Sequence, residues 1–133
     1  MCGIAGIFNF NNEQVRLEQL LDMTNRMVER GPDDDGFFIS ESESLGLGFR
    51  RLSIIDVEGG HQPLTNEDES LYLIFNGEIY NHVELRADLV SRGHVFKTKS
   101  DAEVLIHLYE EKGVKALDDL NGMFAFALYD SKL

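Results

Sequence analysis

Cysteine is nearly absent from this sequence, which has a single residue of this type, at position 2. One thiol cannot form an internal disulfide, and this excludes the disulfide-stapled scaffolds of small secreted proteins. The sequence also lacks an apolar run of about 18 residues, and no basic segment precedes a shorter apolar one. We therefore expect no membrane span, no secretory signal and a cytoplasmic location.

Basic residues are scarce as well, with 12 Lys and Arg against 24 Asp and Glu, a formal net charge of -12. Nucleic acids and acidic membranes bind through basic residues that neutralise phosphates, so neither is an expected partner. The run Asp33-Asp34-Asp35 lacks the ligand spacing of a calcium-binding loop. We expect a solvated loop at these three residues and no metal site.

The 133 residues, with 9 Phe and 4 Tyr, suffice for one domain with a substantial core. Hydrophobic periodicity predicts helices over 16–30, 83–90 and about 100–112. Apolar runs of strand length predict strands, and a turn-rich loop separates the fourth from the fifth. These strands cover 3–10, 36–39, 45–50, 52–55, 71–75, 94–96 and 123–129, and the loop covers 57–70. Helices and strands do not alternate regularly, which favours an α+β fold over a doubly wound parallel sheet.

Short local signals mark the ends of these elements. Gly31-Pro32 predicts the end of the first helix, while Gly93 and Gly113 predict the ends of the other two. Asn76-Gly77 interrupts the 71–75 run and is by itself a hairpin signal, although a helical stripe follows it. Ser100 and Glu103 have the spacing of a capping box at the start of the third helix.

Cys2 has three interpretations from the residues alone. It can be a small hydrophobic residue beside a strand. It can pair with a histidine, as in papain-like enzymes, with His61, His82, His94 or His107 as the base. After removal of Met1 it can also combine a thiol with a free α-amine, whose pKa of about 7.7–8.0 allows it to accept the thiol proton.

Several segments in a fixed order bear on this choice: MCGIAGIF, RGPDDDG, RRLSIID, NGEIYN and KSDAEV. Together they resemble the glutaminase domain of class II glutamine amidotransferases, and within that group glutamine-hydrolysing asparagine synthetases. The resemblance spans essentially the whole chain. It implies a four-layer αββα sandwich of the N-terminal nucleophile (Ntn) hydrolase type.

The resemblance also assigns roles to individual residues. Cys2 becomes the nucleophile, and Asn76 and Gly77 supply hydrogen bonds to the oxyanion of the tetrahedral intermediate. Arg51, rather than its neighbour Arg50, pairs with the α-carboxylate of glutamine. The remaining substrate-binding residues form the wall of the pocket or hold the α-ammonium: Leu52, Ser53, Ile54 and Ile55 for the wall, and Glu78 and Asp101 for the ammonium.

The implied reaction hydrolyses glutamine to glutamate and ammonia through a Cys2 thioester, without a metal or organic cofactor. ATP and magnesium are implied only for a synthetase domain or subunit, which the 133 residues do not contain. We expect residues 1–133 to be a glutaminase domain incomplete at its C-terminus, with an exposed sheet edge through which two copies can associate as a homodimer. Two alternatives remain open: a related amidotransferase with a sugar or polysaccharide-precursor acceptor, and a non-catalytic module that binds glutamine or a partner.

Overall fold

The computed structural model describes residues 2–11, 13–52 and 60–133. It contains six strands, three α-helices and one 3-10 helix in these residues. In chain order they are β1 (Gly3–Phe8), α1 (Leu17–Asn25), β2 (Asp34–Ile39), β3 (Leu45–Arg51), β4 (Leu64–Thr65), β5 (Leu71–Ile79), α2 (His82–Ser91), α3 (Glu103–Lys112), the 3-10 helix (Gly113–Asp119) and β6 (Gly122–Asp130).

The strands form two antiparallel sheets of three strands each. In the first sheet, in the order β1-β3-β2, β3 pairs with β1 from Gly3↔Arg50 to Phe8↔Leu45. In the second sheet, in the order β4-β5-β6, β5 lies at the centre. The absence of parallel pairs among these strands confirms the predicted α+β class.

One hydrophobic core lies between the two sheets. Leu47 and Phe49 of β3 and Ile74 of β5 are buried there. Phe38 of β2 stacks on Tyr72 of β5, with 3.7 Å between the ring centroids. Because strand side chains alternate between faces, the same strands present their other faces to the outer layers of the molecule.

Helices cover those outer faces. On the first sheet, α1 packs against Gly48, where an added Cβ would lie 2.4 Å from Thr24 Oγ1. On the second sheet, Leu73 and Phe75 join a second core with residues of α2 and α3 such as Leu89. The order helix, sheet, sheet, helices confirms the predicted four-layer αββα sandwich.

The first helix is shorter than predicted and ends at Asn25 rather than at residue 30. Tight turns follow, in which the Met27 N–H donates to the Thr24 carbonyl oxygen at 3.0 Å. These turns bring Arg30 to the start of β1, where its Nε donates to the Cys2 carbonyl oxygen at 3.3 Å. The helical periodicity overestimated the length because turns with i→i−3 hydrogen bonds, and not α-helix, follow Asn25. The second helix is present with Gly93 after it, and the third ends before Gly113 as predicted.

The predicted strand at 94–96 is wrong. The backbone N–H of His94 donates to the Leu89 carbonyl oxygen at 3.1 Å, and that of Val95 donates to the Glu67 carboxylate at 3.1 Å. A helix end and a side chain therefore satisfy these donors, and the segment pairs with no strand.

The predicted capping box is also wrong, because α3 begins at Glu103 and not near Ser100. The Glu103 carboxylate accepts from the backbone N–H groups of Lys97 and Thr98, at 2.6 and 2.8 Å. The Ser100 N–H instead donates to the Thr98 hydroxyl at 3.1 Å. Glu103 thus secures the segment before α3.

The strand predictions hold in outline but differ at their ends. The first strand ends at Phe8, the third extends one residue beyond its predicted end, and the last extends one residue further at each end. β5 continues through Asn76-Gly77 because it pairs with β6 as far as Ile79↔Gly122. The predicted 57–70 loop contains the short strand β4. The 52–55 prediction falls largely on residues 53–59, which lie outside the described residues.

None of the helices in the described part of the chain has both the length and the apolar character required to cross a membrane.

Replacement of Phe49 tests the core between the sheets. Phe49 is fully buried, so Phe49→Ala is expected to lower the free energy of unfolding by about 3–5 kcal/mol in urea denaturation. The matched control is Phe10→Ala, since Phe10 is 88% exposed and its removal is expected to cost less than about 0.5 kcal/mol. Similar losses in the two variants would contradict this assignment of the core.

Candidate active site

A cavity of about 240 Å³ opens where the ends of β3 and β5 meet. It contains every predicted site residue that the structure describes: Cys2, Arg51, Leu52, Asn76, Gly77, Glu78 and Asp101. The predicted wall residues Ser53, Ile54 and Ile55 lie outside the described residues. Residues up to 99 positions apart in sequence therefore share one cavity, and what each does there remains a prediction.

Cys2 is half-buried at the start of β1. The Leu52 backbone N–H points to its sulfur, with 3.5 Å between N and Sγ, and the Leu52 carbonyl oxygen lies 3.7 Å from Sγ. Cys2 also packs against the core between the sheets, so its side chain contacts both the core and the cavity.

A histidine partner for Cys2 is not supported by the structure. All four histidines are described, and none lines the cavity or hydrogen-bonds to the Cys2 sulfur. His61 hydrogen-bonds to Asp34 at 2.7 Å, while His94 and His107 lie among carboxylates near α3. The papain-like interpretation therefore lacks its base.

Arg51, at the end of β3, is only 6% exposed and lines the cavity. Its neighbour Arg50 points elsewhere: Arg50 Nε donates to the Gly31 carbonyl oxygen at 3.0 Å, and its guanidinium lies 3.6 Å from Asp35. Strand alternation separates the two side chains, and of the two arginines Arg51 is the one that lines the cavity.

The acidic run beside Arg51 is only in part the solvated loop that we expected, because Asp33 and Asp35 are exposed but Asp34 and Asp35 belong to a strand. Asp34 and Asp35 begin β2 and pair with Arg51 and Arg50 of β3. Burial alone would raise the pKa of Asp34, but the hydrogen bond from His61 and the nearby charges of His61 and Arg51 together lower it. Cross-strand pairing with two arginines accounts for the position of these acids.

Asn76 and Gly77 lie in β5, opposite Ala125 and Phe124 of β6. Gly77 has a positive φ of 156°. A Cβ at this position would lie 2.2 Å from the Met123 carbonyl oxygen, so no larger residue fits without displacing β6. The glycine therefore serves close strand packing at the cavity wall instead of forming a hairpin turn.

The two predicted ammonium ligands differ in their surroundings. Asp101 is 6% exposed, and its Oδ2 accepts the backbone N–H of Ile79 at 2.7 Å. This bond ties the segment before α3 to the end of β5. Glu78 is exposed on the same strand, at the rim of the cavity. One acid is consequently held rigidly and the other faces solvent.

Gln62 is a cavity residue that the sequence interpretation missed. Its Oε1 accepts the Phe75 N–H at 2.7 Å and its Nε2 donates to the Phe75 carbonyl oxygen at 3.2 Å. β4 pairs Leu64 with Leu73, so continued pairing would set residue 62 opposite Phe75. The Gln62 side chain takes that place and holds β5 directly before Asn76. Its position next to Pro63, which has no N–H to pair, was the available signal.

The rest of the lining was not predicted either. It consists of apolar side chains, small residues and one hydroxyl: Phe49, Phe75, Met123, Gly60, Ala102 and Ser100. A cation, two carboxylates, two amides, a hydroxyl and a thiol therefore share a cavity whose other side chains are apolar. This arrangement complements a small zwitterion with an uncharged polar side chain.

Comparison with known proteins agrees with this chemistry. A profile of the glutamine amidotransferase domain matches residues 1–133. The chain belongs to the glutamine amidotransferase domain family. It is 50% identical over 133 residues to "Asparagine synthetase [glutamine-hydrolyzing] 1" of Bacillus subtilis (strain 168), covering 98% of this chain and 21% of that protein. It is 48% identical to "Asparagine synthetase B [glutamine-hydrolyzing]" of Escherichia coli (strain K12), covering 99% of this chain and 24% of that protein.

The chain thus spans about a fifth to a quarter of the length of these two relatives. Among solved structures, a glutamine phosphoribosylpyrophosphate amidotransferase from B. subtilis superposes with a TM-score of 0.73. The match has 21% sequence identity and covers 96% of this chain and 35% of that one. At this identity the likeness concerns the fold, which is that of the Ntn hydrolases.

Substitution of Gln62 tests its role as a clamp on β5. Gln62→Glu replaces the Nε2 donor with a second oxygen, which faces the buried Phe75 carbonyl. We expect a loss of about 1–3 kcal/mol in the free energy of unfolding, because a buried acceptor loses its donor.

The control for this experiment is Gln19→Glu, the same chemical change at an exposed position of α1. It is expected to leave the free energy of unfolding within about 0.5 kcal/mol of the wild-type value. Equal stability of the wild type and Gln62→Glu would contradict the clamp.

Proposed function

We propose that this chain hydrolyses glutamine to glutamate and ammonia through a thioester on Cys2. The observation that carries the proposal is the convergence of Cys2, Arg51, Asn76 and Asp101 on one cavity of about 240 Å³. The family supports the same substrate, since its domain is named for glutamine amide transfer.

Recognition of glutamine uses the charged groups of the cavity. The planar guanidinium of Arg51 pairs with the α-carboxylate through two parallel hydrogen bonds. The carboxylates of Asp101 and Glu78 bind the α-ammonium. Since Asp101 is fixed through Oδ2 to the Ile79 N–H, its Oδ1 is the oxygen assigned to the ligand. The side-chain amide of glutamine then extends toward Cys2.

The nucleophile requires removal of Met1. The α-amine so produced on Cys2 accepts the thiol proton, directly or through a water molecule. The Leu52 N–H, 3.5 Å from Sγ, stabilises the resulting thiolate. Because base and nucleophile belong to the same residue, the absence of a histidine from the cavity lining is consistent with this chemistry.

The reaction proceeds by acyl transfer in two stages. The thiolate attacks the side-chain amide carbon, and the oxyanion that forms accepts hydrogen bonds from the Asn76 side-chain NH2 and the Gly77 N–H. The α-ammonium of Cys2 protonates the amide nitrogen of glutamine, the carbon–nitrogen bond breaks, and ammonia leaves. Water then attacks the thioester, glutamate leaves, and the thiol is restored.

The ammonia supplies an ATP-dependent amidation of aspartate to asparagine. This part of the proposal rests on relatives named as glutamine-hydrolysing asparagine synthetases, of which the chain spans only a fraction. ATP and magnesium would act in a synthetase domain or partner subunit, while residues 1–133 act as the glutaminase domain. The hydrolytic step itself would use no cofactor.

Cys2→Ala is expected to abolish glutamate release from glutamine, since it removes the attacking sulfur. Glutamate is measured by a coupled dehydrogenase assay on purified full-length chains, and intact mass establishes in each preparation that Met1 is absent. Equal glutamate release by the wild type and Cys2→Ala would refute the proposal. Thermal stabilisation by glutamine with no glutamate release from the wild type would instead indicate a binding module.

Asn76→Ala is expected to lower kcat by roughly 10²–10³ with little change in KM, because the lost donor acts mainly on the transition state. The matched control is Asn25→Ala, at an exposed position in the last turn of α1, with kcat and KM near wild type. A rise in KM with unchanged kcat would assign Asn76 to ground-state binding instead.

A further inference from the structure

A second group of chemically active side chains lies outside the cavity, against α3. Glu67 follows β4, His94 follows α2, and His107 and Glu110 lie three residues apart on α3. Each offers one ligand atom, and these four atoms all lie within 4.8 Å of one another. None of the four residues lines the cavity that contains Cys2.

Three of the distances between these atoms are close to those of a tetrahedral metal site. Glu110 Oε2 lies 3.0 Å from His107 Nδ1 and 3.3 Å from His94 Nδ1, and Glu67 Oε2 lies 3.8 Å from His107 Nδ1. With metal–ligand bonds of about 2.0–2.1 Å, neighbouring ligands of a tetrahedral zinc ion are separated by about 3.3 Å. These three distances lie within about half an ångström of that separation, and the most widely separated pair of the four atoms is no more than 4.8 Å apart.

The two carboxylate ligands are held in place through their other oxygen atoms. Glu67 Oε1 accepts the backbone N–H of Val95 at 3.1 Å. Glu110 Oε1 accepts from the Asn66 side-chain amide at 2.9 Å. Both carboxylates therefore turn their remaining oxygen toward the imidazoles without further rearrangement.

The two imidazoles have carboxylates behind them. His94 Nε2 lies 3.0 Å from Glu111 Oε1, and Arg92 binds the other oxygen of Glu111. His107 Nε2 lies 3.7 Å from Glu103 Oε1. Carboxylates behind metal-bound histidines fix the ring orientation and raise the basicity of the ligand, so this arrangement is typical of metal centres.

Burial and charge also favour a cation between these groups. His107 is 1% exposed, and its Nδ1 faces the carboxylates of Glu67 and Glu110. Four carboxylates, those of Glu67, Glu103, Glu110 and Glu111, surround the two imidazoles. The nearby ammonium group of Lys97 donates hydrogen bonds to the Asn66 carbonyl oxygen at 2.7 Å and to the Thr65 hydroxyl, which are not among the four proposed ligands.

We propose that Glu67, His94, His107 and Glu110 bind one divalent transition-metal ion of the zinc type. Two imidazole nitrogens and two carboxylate oxygens suit Zn²⁺, whereas Ca²⁺ and Mg²⁺ require six or more oxygen ligands. The ion joins α3 to the segment after α2 and to the loop before β5. Its role is structural, since the site is closed by four protein ligands and is separate from the glutaminase cavity.

The test is calorimetric titration of the full-length chain with Zn²⁺ after treatment with a chelator. The titration is repeated on Cys2→Ala, because a free thiol can bind zinc independently. We expect one Zn²⁺ per chain in both, and an increase in Tm on addition of zinc. Co²⁺ in place of Zn²⁺ is expected to give the intense visible absorption bands of tetrahedral coordination.

Two ligand variants at accessible positions decide the result. His94 and Glu67 side chains are 16% and 41% exposed, so His94→Ala and Glu67→Gln are expected to fold, as circular dichroism would verify. Each is expected to lower the Zn²⁺ affinity at least tenfold and to remove the cobalt bands. The matched controls, His61→Ala and Glu84→Gln, change exposed residues outside the cluster and should retain wild-type affinity.

Two results would overturn the proposal. One is the absence of stoichiometric Zn²⁺ binding in the chelator-treated chain. The other is Zn²⁺ binding that persists unchanged in both His94→Ala and Glu67→Gln. Neither result bears on glutamine hydrolysis, since the four ligands lie outside the catalytic cavity.

Discussion

Face-to-face packing of the two antiparallel sheets is the contact on which the candidate active site depends. Arg51 belongs to the first sheet, and Cys2 directly precedes β1 of that sheet. Asn76 and Glu78 belong to the second sheet. The core residues Leu47, Phe49 and Ile74 hold these sheets together immediately beside the cavity. Loss of this packing would separate the Cys2 thiol from the groups proposed to stabilise the oxyanion of the tetrahedral intermediate.

Side chains complete the backbone hydrogen bonding around this contact. Gln62 occupies the place of a strand partner for Phe75, and Asp101 accepts the Ile79 N–H at the other end of the same stretch of β5. Buried backbone groups are costly without partners, so both contacts stabilise the segment that carries Asn76 and Gly77. They also keep that segment rigid, which positioning of an oxyanion requires.

Regular elements with strong periodicity could be predicted from the sequence, because their signals are local. The run 71–75 was predicted as a strand, and its side chains enter the two cores alternately. The predictions that failed depended on distant partners. Asn76-Gly77 was weighed as a hairpin turn, but pairing with β6 carries the strand through it. Glu103 was expected to cap its own helix, but it binds Lys97 and Thr98 instead.

The sequence alone determined the chemical inventory: one thiol at position 2, the order of the motifs and the residue types of the candidate site. It also determined the α+β class, because strand and helix periodicities are properties of neighbouring residues. Only the tertiary structure decided that Gln62 supports β5 and that Glu67 meets two histidines beside α3. These features join residues far apart in the chain, and their geometry follows from how sheets and helices pack against one another.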